Sequence, residues 1–214
     1  DIDVVRRYIA RGADVNAKDN YGNTALMWAL GYGHSDIAEL LLRSGADVNA
    51  KNNYGDTALM WASRNGHPDI AELLLRSGAD ANAKDNDGDT ALIWASRDGH
   101  PDIAELLIRS GADINAKSNY GYTALMEASR HGHTDTANLL LRERADVNAK
   151  DNYGYTALME ASRNGHMDTA KLLLLNGADV NAKNNNGDTA LILASNYGHS
   201  DTAKRIVSVA MDDP

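Results

Sequence analysis

Seven histidines are the first residues in this chain that could do chemistry. A catalytic zinc needs three or four ligands converging on one point. Six of these histidines cannot converge. His34, His67, His100, His133, His166 and His199 each follow a glycine and stand 33 residues apart. Only His131 and His133 are close, with no cysteine in the chain and no third histidine to complete a site, so no metal site and no cofactor is expected. Nor is there a glycine-rich phosphate loop, a serine elbow or a carboxylate pair in a defined cleft, and a catalytic reading has nothing to rest on. The residues that suit recognition are tyrosine and arginine, which are over-represented at binding hot spots. Arg64, Arg97, Arg130 and Arg163 recur at one place in successive blocks. Tyr120, Tyr122, Tyr153 and Tyr155 fill two nearby places in two of them.

What positions these residues is a repeat. Thr-Ala-Leu recurs at Thr24, Thr57, Thr90, Thr123, Thr156 and Thr189, in phase with Gly-His and with Ala-Asp-x-Asn. A fixed period of this length marks a stacked array rather than one central core. The threonine predicts the N-cap of a short first helix. Gly33-His34 and its counterparts end that helix. Pro68 and Pro101 suit the first turn of a second helix, and Asp36, Asp69 and Asp102 suit the positive end of its dipole. Ile-Ala-x-Leu-Leu-Leu gives that helix an apolar stripe. Gly12, Gly45, Gly78, Gly111 and Gly177 predict left-handed caps, and Arg144 stands alone where a sixth glycine is expected.

The period, with Thr-x-Leu-x-x-Ala, Gly-His, Leu-Leu-Leu and Gly-Ala-Asp-Val-Asn, resembles the ankyrin repeat over essentially the whole chain. The resemblance implies an all-α solenoid of helix-turn-helix repeats with β-hairpin-like fingers. It also implies a protein partner bound through the inner groove and finger tips. The blocks are 1–18, the second half of a repeat; 19–51, 52–84, 85–117, 118–150 and 151–183; and 184–214, a C-terminal cap in which Lys204 and Arg205 replace the Glu and Leu of earlier blocks. The missing first helix of 1–18 suggests a piece of a longer protein. One departure is consistent. The family usually has Thr-Pro-Leu-His, whereas Met27, Met60, Ile93, Met126, Met159 and Ile192 stand at the histidine place, which predicts packing there instead of a local hydrogen bond.

The places expected to face the groove are those that the frame leaves free. Three before each threonine the chain reads Tyr21, Tyr54, Asp87, Tyr120, Tyr153 and Asn186; one before it, Asn23, Asp56, Asp89, Tyr122, Tyr155 and Asp188. Four after it come Trp28, Trp61, Trp94, Glu127, Glu160 and Leu193. The tryptophans are expected to pack between successive first helices. Glu127 and Arg130 stand three apart on one helix, as do Glu160 and Arg163, a spacing that allows an ion pair of ~0.2–0.5 kcal/mol. The candidate partner surface is therefore Tyr120, Tyr122, Tyr153 and Tyr155 as an apolar centre. Glu127, Arg130, His131, Glu160 and Arg163 lie beside it, and Asp87 and Asp89 form an acidic neighbour.

Net charge is −9, which argues against a nucleic-acid partner. Seven acids against three bases fall in 85–117, and four of each in 118–150, so a partner with a basic segment is expected. No apolar run approaches the ~20 residues that span a bilayer and no leader peptide is visible. A cytoplasmic, monomeric, non-enzymatic scaffold is the expectation. Two other readings stay open: an engineered or consensus-derived array without a natural ligand, which the near-identical blocks fit, and a non-catalytic module of a larger enzyme or effector.

Overall fold

A computed structural model describes residues 1–212, with side chains through residue 208. Thirteen helices occur among the described residues. Helix α1 (Ile2–Ala10) stands alone. Six pairs follow: α2 (Ala25–Gly31) with α3 (Ser35–Arg43), α4 (Ala58–Asn65) with α5 (Pro68–Arg76), and α6 (Ala91–Asp98) with α7 (Pro101–Arg109). Then come α8 (Ala124–His131) with α9 (Thr134–Arg142), α10 (Ala157–Arg163) with α11 (Met167–Leu175), and α12 (Ala190–Asn196) with α13 (Ser200–Asp212). No helix among the described residues is long and apolar enough to cross a membrane.

Helices of seven or eight residues are unstable alone, so capping and stacking must hold them. Each capping threonine accepts a hydrogen bond from the backbone N–H three residues on, as Thr123 Oγ1 does from Met126 at 3.3 Å. At Thr57 the methionine sulfur also accepts from the threonine N–H, at 3.4 Å. Met27, Met60, Ile93, Met126 and Met159 are fully buried, as packing in place of histidine requires. Ile192 is the exception and lies exposed. Leu59, Leu92, Leu125 and Leu158 belong to one apolar cluster that runs through the stack. Each such leucine contributes about 1.5–3 kcal/mol by leaving water.

Three ladders of hydrogen bonds join successive repeats. Lys18, Lys51, Lys84, Lys117 and Lys150 each donate from Nζ to the carbonyl of the lysine one repeat on, as Lys84 does to Lys117 at 2.8 Å. The Asn53, Asn86, Asn119, Asn152 and Asn185 amides donate to a carbonyl one repeat back. Asn16, Asn49, Asn82 and Asn148 of the Asp-x-Asn motif reach forward in two bonds each: Asn82 Nδ2 donates to the Gly111 carbonyl at 3.0 Å, and its Oδ1 accepts from Asp113 N–H at 2.7 Å. The histidines stitch as well. His100, His133 and His166 donate from Nε2 to the carbonyls of Arg64, Arg97 and Arg130 in the repeat before.

The first helices contact one another more closely than the second helices do. They and the fingers therefore form the inner side of the array. At the far end, the outer face of α12 and α13 is not uniformly polar, as a cap would have it. Lys204 is exposed, but so are Ile192 and Val207.

Candidate functional site

The inner side carries three parallel rows. The finger tips are the outermost. Their glycines hold positive φ, 81° at Gly55 and 85° at Gly121, and a Cβ on Gly121 would lie 2.7 Å from the Asn152 backbone nitrogen. Only glycine lets adjacent fingers approach this closely. Tyr120 and Tyr153 project from these tips, 52% and 58% exposed, and Asp87 projects beside them.

Tyr122 and Tyr155 form the next row inward. They are half-buried and packed on the core. The Arg130 guanidinium lies 5.8 Å from the Tyr122 ring centre. The Arg163 guanidinium lies 6.0 Å from that of Tyr155 and 5.2 Å from that of Tyr197. Burial, and secondarily the carboxylate of Glu160, push the Tyr122 phenol above its ordinary pKa, so it stays a neutral hydrogen-bonding group.

The floor is the row of tryptophans and glutamates. Glu127 and Glu160 are each only 2% exposed, so they underlie the tyrosines rather than flank them at the surface. The expected ion pair along one helix does not form at Glu127. Its Oε2 accepts from Nε of Arg97, in the repeat before, at 3.2 Å, and lies 3.5 Å from His131 Nδ1. His131 also stacks on His133, ring centres 6.1 Å apart, so the one close histidine pair is a packing pair. Among the described residues no group of three or more His, Asp or Glu is placed to hold a metal. Glu160 has no cation within 4.0 Å among the described residues, since Arg130 and Arg163 lie against tyrosines. Burial raises its pKa. Arg130 and Arg163 oppose that, and Asp151 and Glu127 add to it. Asp89 is raised from the ordinary 3.8 to about 6, chiefly by burial and then by Asp85, with Arg97 opposing and Glu127 and Asp87 adding.

The structure thus brings Tyr120, Tyr122, Arg130, Tyr153, Tyr155 and Arg163 together as a patch and sets the glutamates beneath it. The tryptophans, expected to pack between successive first helices, do so and also line the groove. Trp28 is 40% exposed, and Trp61 and Trp94 are half-buried. Trp28 and Trp61 meet edge to face at 6.0 Å. The indole N–H groups of Trp28 and Trp94 donate to Asp19 and Asp85 at 2.9 and 3.0 Å. The Trp61 N–H has no acceptor among the described residues. A cavity of about 420 Å³ opens between Trp61 and Trp94. The available signal was the tryptophan at one fixed place in three successive repeats, the same place that elsewhere carries glutamate.

A stack of paired helices with fingers on one edge defines a helical repeat protein. A family model described as ankyrin repeats in three copies matches residues 1–85, 77–151 and 144–213, and the chain belongs to the ankyrin-repeat family. It is also similar to a Rickettsia felis protein named for ankyrin repeats, at 42% identity over 40 residues. That match takes in 19% of this chain and 64% of the relative, less than two thirds of the relative's length.

Proposed function

We propose that this array is a non-enzymatic scaffold that binds a partner protein through its inner groove and finger tips, with Tyr120, Tyr122, Tyr153 and Tyr155 at the centre. Ankyrin repeats generally mediate protein–protein interactions. One observation carries the placement. Two successive repeats present the same unit, an exposed tyrosine above a half-buried tyrosine with a guanidinium beside it. Nothing in the stacking requires the rings of Tyr120 or Tyr153, because only their backbone carbonyls and the neighbouring asparagine amides join those fingers. Arg130, Arg163 and His131 supply polar contacts, and Glu127 and Glu160 hold the floor. Asp87 and Asp89 extend the surface toward a basic segment of the partner. No cofactor takes part, and the array acts as a monomer in this reading.

The test uses Tyr120→Ala with Tyr153→Ala. Both rings are exposed, so folding and melting temperature stay within a degree or two of the parent. Affinity for a partner recovered by cross-linking should fall by more than ~2 kcal/mol if these are hot spots. An unchanged affinity moves the site away from these fingers.

A further inference from the structure

The cavity between Trp61 and Trp94 lies in the blocks that precede the tyrosine patch, Asp87 standing where the two meet, and its lining is specific. Trp61, Trp94 and Tyr54 form aromatic walls; Asp56, Asp85 and Asp87 face one cation, Arg64. Its volume falls in the range of ordinary ligand sites.

Not all of these groups are available. Asp85 is satisfied: Oδ1 accepts from the backbone N–H groups of Asp87 and Asp89, and Oδ2 accepts from Trp94. Arg64 is seated too, its guanidinium 4.1 Å from the centre of the Trp94 ring, and Arg97 lies 4.7 Å from that ring. Trp94 thus takes one guanidinium from its own repeat and one from the same place in the repeat before. For Trp61 that place is Gly31, which has no side chain to offer. A Cβ there would lie 3.0 Å from Trp61 Cζ3, so no longer residue fits without a shift.

Trp61 is also the one untethered indole of the three. The residue that would accept its N–H is Asn52, where the other two repeats have aspartate. Asn52 Oδ1 is taken by the N–H groups of Tyr54 and Asp56, and its Nδ2 donates to Asn23 Oδ1 and Asp56 Oδ2. Asn52 therefore has no acceptor left for the Trp61 N–H, which is buried without a partner among the described residues. The Asp87 side chain, at the mouth, is exposed and has no hydrogen-bond or ion-pair partner among the described residues.

We propose that this cavity is a receptor for one lysine or arginine side chain of the partner, its cation against the Trp61 indole and paired with Asp87 and Asp56. This rests on the reading that the inner side receives a protein partner, and it adds a second contact point with its own chemistry. A cation over tryptophan is the strongest of the cation–π pairings. Three carboxylates against one cation give the lining the complementary sign.

Three indole N–H resonances, assigned with Trp61→Phe and Trp94→Phe, report on the cavity directly. The probes are the blocked tripeptides acetyl-Ala-Arg-Ala-amide, acetyl-Ala-Lys-Ala-amide and the neutral acetyl-Ala-Gln-Ala-amide. The Arg and Lys probes should move the Trp61 and Trp94 signals more than that of Trp28, and the Gln probe should not. Asp87→Asn should weaken binding by about two- to fivefold, what a partly exposed ion pair contributes. Tyr120→Ala with Tyr153→Ala should leave it unchanged. No response at millimolar probe, an equal response to Gln, or full affinity in Asp87→Asn overturns the proposal. Shifts centred on the Tyr120 and Tyr153 amides instead would overturn the cavity but keep the tyrosine patch, and loss of partner binding in the tyrosine variant alone bears only on that patch.

Discussion

Asp151 shows what a single replacement on the floor does to its neighbour. Asp19 and Asp85 spend one carboxylate oxygen on a tryptophan N–H. Where Glu127 replaces tryptophan, Ser118 replaces the aspartate as well, and no stranded carboxylate results. Where Glu160 replaces it, Asp151 remains: Oδ1 accepts from Tyr153 and Tyr155, and Oδ2 is buried with no partner among the described residues. An unsatisfied buried group of this kind costs ~1–3 kcal/mol. Asparagine suits the geometry, since Asn184 accepts two backbone N–H groups with Oδ1 and donates with Nδ2. Asp151→Asn should raise stability in urea by about 1 kcal/mol and lower the Glu160 pKa, read by carboxyl carbon NMR. A variant with an unchanged midpoint would remove the argument. Asp89 adds a pH dependence. Between its ordinary 3.8 and about 6 the folded chain holds a proton that the unfolded chain releases. Its contribution to stability therefore falls as pH rises through that window and stays low above it. In Asp89→Asn that loss disappears, so the variant's advantage in melting temperature should be larger at pH 7.5 than at pH 4.5. An equal advantage at both would mean that Asp89 titrates normally.

The turn after α9 is the weak link among the helical elements. Arg144, at φ 67°, is the one non-glycine residue with positive φ among those described. The strain costs ~1 kcal/mol. Asn16, Asn49, Asn82 and Asn148 each donate to the glycine carbonyl at this place one repeat on. Asn115, which faces Arg144, keeps only the bond it accepts from Asp146 N–H, at 2.8 Å. Arg144→Gly should raise the urea midpoint, equivalent to ~1–2 kcal/mol with the bond restored. If Asn115→Ala then costs no more in the variant than in the parent, the bond did not return. This strained turn was legible in the sequence, because one letter breaks a local rule that five glycines keep. So were the helix pairs, caps and finger turns, all of which follow from residues a few places apart. The ladders were not, since one lysine or asparagine per block looks like a turn residue until the next block lies against it. The floor was misread for a related reason. Glu127 on a short helix looks like a surface residue, and its cation, Arg97, comes from a different repeat. Tyr122 and Tyr155 were found as candidates, but their half-buried packing on the core was not evident.

In the whole molecule each repeat touches only its neighbours, so protection should vary along the array rather than rise and fall as one. Helix α1 has no buried residue, whereas α6 and α8 bury Leu92, Ile93, Leu125 and Met126 completely between neighbours. Backbone amides of α1 should exchange with deuterium orders of magnitude faster than those of α6 and α8. Uniform protection would show that the array opens as one unit. The lysine ladder has a further consequence. Every rung refers only to the carbonyl 33 residues on, whichever block supplies it. With residues 85–117 excised, Lys84 would find the Lys150 carbonyl and Arg64 would meet Glu127, as Arg97 does now. The joint would heal while Trp94, Asp87 and the cavity between the tryptophans vanished. Length and binding character can therefore change together in this chain, by loss or gain of whole blocks, while the stacking that holds the scaffold stays the same.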